Sequence, residues 1–258
     1  MESPQRNHSR NQIIMKNYLI ISASSDIGFL TAKSLVAQGK NIFITAQNEQ
    51  RLEELKSELK CDGALLNAAD FAATEEVFQK AVQALGDLDG VVNFAGSVIL
   101  KPAHLTTFEE YQKTVEANLT TAFSAVRASA KNLKNGGSVV LISSAAAMQG
   151  ISNHEAIAAA KGGIISLAKS AAATYAGQNI RFNVVSPGLT ETKMTKKITG
   201  SEVALKFSTA MHALNRIGKA EDVATMVEFL LSDKANFITG QVIAVDGGLS
   251  NLQPKIKV

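Results

Sequence analysis

Three groups of residues have types and spacings that could do chemistry. The first is Ser22-Ala23-Ser24-Ser25-Asp26-Ile27-Gly28, which joins an apolar strand to a helix. A tight turn at such a junction aims backbone N–H groups at a pyrophosphate lying on the helix N-terminus. The turn alone is a weak signal. Ser22 lacks a glycine's conformational freedom, and Asp26 puts a carboxylate near the anion unless it points outward as a helix cap.

The second group lies in Gly137–Lys161. The apolar run Ser138–Ile142 closes on Ser143-Ser144, as a buried strand does when its last residues emerge at a site. A small-residue loop to Gly150 and an Ala-rich helix follow, and His154, Ile157 and Lys161 fall on one stripe of that helix. The stripe places His154 about 4.5 Å from Ile157 toward the helix N-terminus. An imidazole titrates near ~6.5, a suitable range for acid–base work, although a first-turn surface histidine has the same spacing. Lys161 beside aliphatic residues is costly to bury without a partner, unless its head reaches solvent. The third group, Lys193, Lys196, Lys197 and Lys206, is either a solvated face or a site for a phosphate- or carboxylate-bearing substrate.

Several chemistries are excluded. No metal site is expected: one cysteine, Cys61, rules out a multi-cysteine zinc site, and Ala158 stands where a zinc-binding His154-Glu155 pair would need its second histidine. Glu155 has a structural role open to it, since Ser152-Asn153-His154-Glu155 fits a capping box. A formal net charge of +3 gives no case for nucleic acid or membrane binding. No apolar run reaches the ~18–20 residues of a membrane span, and polar Met1–Gln12 does not read as a secretory signal. A cytoplasmic protein is expected.

The elements that must position these groups alternate regularly. Strands are predicted over Leu19–Ser22, Asn41–Thr45, Ala64–Asn67, Gly90–Asn93, Val139–Ile142, Ile180–Val185 and Gln241–Val245. Helices are predicted over Ile27–Gln38, Gln50–Leu59, Thr74–Leu85, Thr107–Lys131, His154–Tyr175 and Ala220–Leu231, with a loop carrying helical pieces over Leu189–Leu214. Continuous apolar strands separated by helices predict an α/β fold: a single doubly wound parallel sheet of Rossmann type, covered on both faces. Ligands are expected at the carboxyl ends of its strands. Residues 1–14 read as a disordered tail, with Met15 a possible start, and 15–258 as one domain.

Several of these junctions together resemble the short-chain dehydrogenase/reductase family, particularly the 3-oxoacyl-carrier-protein reductases. The resemblance covers about residues 16–250. It rests on the Ser22–Gly28 turn, with Ser22, Ser24, Ser25, Asp26, Ile27 and Gly28 at the cofactor, and on Asn93-Phe94-Ala95-Gly96, similar to the family's Asn-Asn-Ala-Gly. It rests also on Glu116-Ala117-Asn118-Leu119, on Ser186-Pro187-Gly188-Leu189-Thr190-Glu191-Thr192, and on Phe237–Gly248. The resemblance implies that Asp70 meets the adenine, and that Asn93, Ala95 and Gly96 let the cofactor approach closely. It also implies that Pro187, Gly188 and Thr192 contact the nicotinamide, that Asn118 holds a relay water, that Ser144 polarises a carbonyl and that Lys161 holds the ribose. The family's catalytic tyrosine, four residues before the lysine, falls on Ile157, which can neither give nor take a proton. The turn also departs from the family's Gly-x-x-x-Gly-x-Gly, since Ser22 and Asp26 replace two of its glycines.

The resemblance therefore implies an atypical NAD(P)-dependent oxidoreductase acting on a small carbonyl or alcohol, with His154 or water as proton donor. His212 is a weaker candidate, placed in a mobile loop. The rival is an inactive family member that binds a dinucleotide or serves as a non-catalytic subunit; a scaffold without ligand is the third reading. Gln47, where a carboxylate would select NAD(H), is neutral, so NADP(H) is favoured. A homotetramer or homodimer is implied by the family alone.

Overall fold

A computed structural model describes residues 15–253; the predicted tail, 1–14, lies outside the described residues. Seven strands form one parallel sheet: β1 (Asn17–Ile21), β2 (Asn41–Ala46), β3 (Asp62–Leu65), β4 (Gly90–Asn93), β5 (Gly137–Ile142), β6 (Ile180–Pro187) and β9 (Val242–Val245). Their order is β3-β2-β1-β4-β5-β6-β9, so the winding reverses between β1 and β4. A crevice opens outside the carboxyl ends of strands at such a reversal. Two short strands, β7 (Thr190–Glu191) and β8 (Gly218–Lys219), pair separately.

The central strands β1, β4 and β5 are largely apolar and buried because helices cover both faces. On one face α3 (Phe71–Leu85), α5 (Thr121–Asn132) and α6 (Glu155–Tyr175) enclose Phe78, Leu133, Ile164 and Phe182. On the other, α1 (Asp26–Ala37), α2 (Glu49–Leu59) and α9 (Ala220–Leu231) enclose Leu35, Leu55, Ile44 and Leu230. No helix among the described residues is long and apolar enough to cross a membrane.

Some boundaries differ from expectation, for local reasons. The first strand ends at Ile21, not Ser22, because Ser22 turns to φ +61° and leaves the sheet. The third strand lies at Asp62–Leu65 instead of Ala64–Asn67. As an edge strand its register is set by pairing, from Phe43 opposite Asp62 to Ala46 opposite Leu65, more than by burial on both faces. Helix α3 begins at Phe71, not Thr74, because Asp70 caps it by accepting the N–H groups of Ala72 and Ala73. The single helix predicted over Thr107–Lys131 is divided into α4 (Phe108–Val115), a π-helical turn (Glu116–Thr120) and α5. Asn118 Nδ2 donates to the Thr114 carbonyl at 2.8 Å, and the Thr121 hydroxyl donates to the carbonyls of Ala117 and Asn118, which feeds the widened turn. The helical pieces expected in the loop over Leu189–Leu214 are α7 (Lys196–Thr199) and α8 (Glu202–Met211). His212 closes α8 and is only 2% exposed, so it does not sit in a mobile loop.

Candidate active site

The loops after β1, β4, β5 and β6 line the crevice, the β1–α1 turn among them. Ser22 adopts the left-handed conformation that would ordinarily call for glycine, and its N–H is held by Thr45 Oγ1 at 3.0 Å. Gly28 has no room for a side chain: an added Cβ would lie 2.8 Å from the Ser22 carbonyl oxygen. The helix cap is Ser25, whose Oγ accepts the Gly28 N–H at 3.1 Å. Asp26 therefore does not take the capping role that the sequence left open to it. Its carboxylate accepts the Lys193 N–H at 2.6 Å, with Lys193 Nζ 3.7 Å away, which ties the turn to the segment after β7.

The ends of β4 and β5 supply the floor. Asn93 braces the following loop by accepting the Ala95 N–H at 3.0 Å. At Gly96 an added Cβ would come within 2.9 Å of Asn118 Oδ1 and 3.3 Å of Lys161 Nζ. That glycine is required because these two side chains meet beside it. Asn118 is fully buried and bonds Ser97 at both ends of its amide, accepting the backbone N–H and donating to Oγ. Ser143 Oγ donates to the Lys161 carbonyl at 2.9 Å, locking α6 to β5, while Ser144 Oγ accepts the Ala146 N–H at 3.2 Å.

Lys161 is 7% exposed, and Nζ donates to the Ile142 carbonyl at 2.9 Å. No carboxylate among the described residues forms an ion pair with it. Burial without a counter-charge pulls its pKa down to about 8.

These loops enclose a cavity of about 240 Å³. Of the residues singled out in the sequence, Ser24, Ser25, Asp26, Ile27, Gly96, Ser144, Lys161, Pro187, Gly188 and Thr192 line it. Ser22, Gly28, Asn93, Ala95 and Asn118 shape it from behind. Gln47 and Asp70 are exposed outside this lining, and the Asp70 side chain is occupied as a cap. His154 is also absent from the lining. Its Nδ1 lies 2.7 Å from the Ser152 carbonyl, which can only accept, so that nitrogen carries the proton. The capping box predicted over Ser152–Glu155 does not form, because His154 itself is the cap residue and makes no side-chain cap bond.

Ile157 and Lys193, also singled out in the sequence, line the cavity too, whereas Ser97, Val98 and Thr195 were missed and Phe94 was given no role. Phe94 was visible as the departure in Asn93-Phe94-Ala95-Gly96. His212 packs beneath the wall, since a Cβ on Gly188 would lie 2.7 Å from its Nε2, a buried atom with no hydrogen-bond partner among the described residues. Cys61 lies outside the cavity lining, and burial pushes its thiol up to about 12, which keeps it protonated and unreactive. No cluster of potential metal ligands occurs among the described residues.

A doubly wound parallel sheet with a cavity at the winding reversal defines a Rossmann-type α/β protein. Comparisons narrow that class. The family described as Enoyl-(Acyl carrier protein) reductase matches residues 21–250. The chain is 35% identical over 240 residues to a 3-oxoacyl-acyl-carrier-protein reductase of Thermotoga maritima, covering 90% of this chain and 96% of the relative. It is 34% identical to an inactive 2-(S)-hydroxypropyl-CoM dehydrogenase 2 of Xanthobacter autotrophicus, covering 85% of this chain and 99% of that one. A solved short-chain type dehydrogenase/reductase from Mycobacterium ulcerans superposes with a TM-score of 0.87 at 31% identity, over 93% of this chain and 91% of that chain. The chain belongs to the short-chain dehydrogenase/reductase family of oxidoreductases.

Proposed function

We propose that the protein is an NAD(P)-dependent oxidoreductase of atypical site chemistry, acting on a small carbonyl or alcohol. The observation that carries this reading is one cavity lined at one end by the Ser24–Ile27 turn and elsewhere by Ser144 and Lys161. The residues suit a dinucleotide. Ser22 keeps the left-handed turn, and the first amides of α1, those of Asp26 and Ile27, find no acceptor among the described residues and are free for a diphosphate. NADP(H) remains the favoured form because Gln47 is neutral and exposed. When bound, the cofactor would supply or accept the hydride.

The chain's own groups divide the remaining work. Ser144 donates a hydrogen bond to the substrate oxygen. Lys161, steadied by the Ile142 carbonyl, presents a cation to the cofactor ribose, and Asn118 steadies the loop that carries Ser97. Ile157, 4% exposed, fills the wall position of the family's acid with hydrocarbon. With His154 outside the lining, water is the better-supported proton donor. Loss of a positioned acid costs about 10²–10⁴ in rate, so slow turnover is expected.

The same isoleucine favours a second reading, in which the protein binds a dinucleotide without turnover. A relative named as inactive is consistent with it. Titration with NADPH and NADH, followed by cofactor oxidation against a panel of ketones and aldehydes, tests both. Binding with slow ketone-dependent oxidation supports the oxidoreductase, binding alone supports the second reading, and absence of binding overturns both.

A further inference from the structure

The least explained group in the cavity is the amine of Lys161. It is buried yet lines the cavity, and its Nζ makes a single hydrogen bond, to the Ile142 carbonyl. No carboxylate among the described residues pairs with it; the backbone at Gly96 packs close to Nζ, where an added Cβ would lie 3.3 Å away. Phe94, Val98, Ile142, Ile157 and Met194 give the cavity an apolar part, beside hydroxyl-bearing residues such as Ser97 and Ser144. An amine desolvated in an apolar pocket is an activated nucleophile toward carbonyl carbon.

We propose that Lys161 forms an imine with small aldehydes and ketones that have an apolar body, giving the cavity a covalent carbonyl-capturing activity that needs no nicotinamide. The nitrogen lone pair forms the new C–N bond as the carbonyl π bond opens. The C–O bond then breaks, and the oxygen leaves as water. Counted from the ammonium form, two of the three nitrogen protons depart in that water and one stays on the iminium, so charge and atoms balance without oxidant or reductant. Ser144 is one lining hydroxyl able to hydrogen-bond the carbonyl oxygen as it becomes a leaving group. Lowered basicity supports the step, because burial brings the amine's pKa to about 8 and leaves a useful fraction unprotonated near neutrality.

Reductive trapping of the full-length chain without cofactor tests this separately from hydride transfer. Benzaldehyde and sodium cyanoborohydride are added at pH 7.5 for short times, and the benzyl adduct on each lysine is quantified by peptide mass spectrometry. Lys161 is expected to label at least tenfold faster than exposed Lys193 and Lys206, and that preference is expected to vanish in urea. Its rate should level off near pH 8, while those of the exposed lysines keep rising. Labelling of Lys161 no faster than exposed lysines, or a preference that survives unfolding, overturns the proposal. Lys161→Arg, with its fold checked by circular dichroism, must lose the fast phase; a fast phase that persists in this variant also overturns it.

Discussion

At the scale of single residues, the site turns on what Ile157 and Lys161 do to each other. A hydroxyl-bearing side chain at position 157 would offer the amine a polar neighbour, whereas the isoleucine leaves it to a backbone carbonyl. This has a consequence for stability. Lys161 titrates at about 8 in the fold and near its ordinary 10.5 when unfolded, so the unfolded chain binds more protons between those values. The contribution of this group to stability therefore rises with pH through that window, and burying the ammonium at pH 7 costs about 3 kcal/mol. Lys161→Met should stabilise the protein by about 2 kcal/mol at pH 7, after about 1 kcal/mol is lost with the bond to Ile142. Urea unfolding at pH 7 and pH 10 checks this, since the gain should shrink toward zero at the higher pH. Ser144, Lys161 and the position of Ile157 were picked out in the sequence by the family resemblance, which registers them on a strand end and a helix stripe. The orientation of His154 was not, because a cap residue's side chain follows its local turn and not the helical period.

At the scale of elements, the β1–α1 turn shows how a glycine pattern can be replaced without losing the turn's shape. Ser22 retains the left-handed backbone, so only Asp26 changes the chemistry there. Its carboxylate sits at the α1 N-terminus, where an anion is favourable, and it is held by the Lys193 N–H. An incoming diphosphate would compete for the same end of the helix. Asp26→Asn should tighten NADPH binding about tenfold, roughly 1.4 kcal/mol, as read by fluorescence titration. Unchanged or weaker binding would remove Asp26 from the diphosphate site. The order of the elements was readable because apolar strands and helices alternate with short connections. What escaped was set by contacts distant in sequence or by side-chain competition: the π-helical turn around Asn118, the register of edge strand β3, and the docking of Lys193 onto Asp26.

At the scale of the whole molecule, large apolar groups remain on the surface of the helical layer beside α5. Phe123 is 48% and Phe71 38% exposed, with their rings stacked at 5.7 Å and Arg127 over Phe71. A homo-oligomer that covers this face predicts that Phe123→Glu lowers the mass measured by sedimentation equilibrium without unfolding the chain; an unchanged mass would place the interface elsewhere. In the proposed function the scaffold would hold cofactor and carbonyl in place and lack only a positioned acid. The measurement that tests this most directly is single-turnover NADPH oxidation with a small ketone, comparing wild type with Ile157→Tyr. A gain of about 10²-fold or more is expected in the variant, with little change in NADPH affinity. A folded, NADPH-binding Ile157→Tyr protein that is no faster than wild type would contradict it.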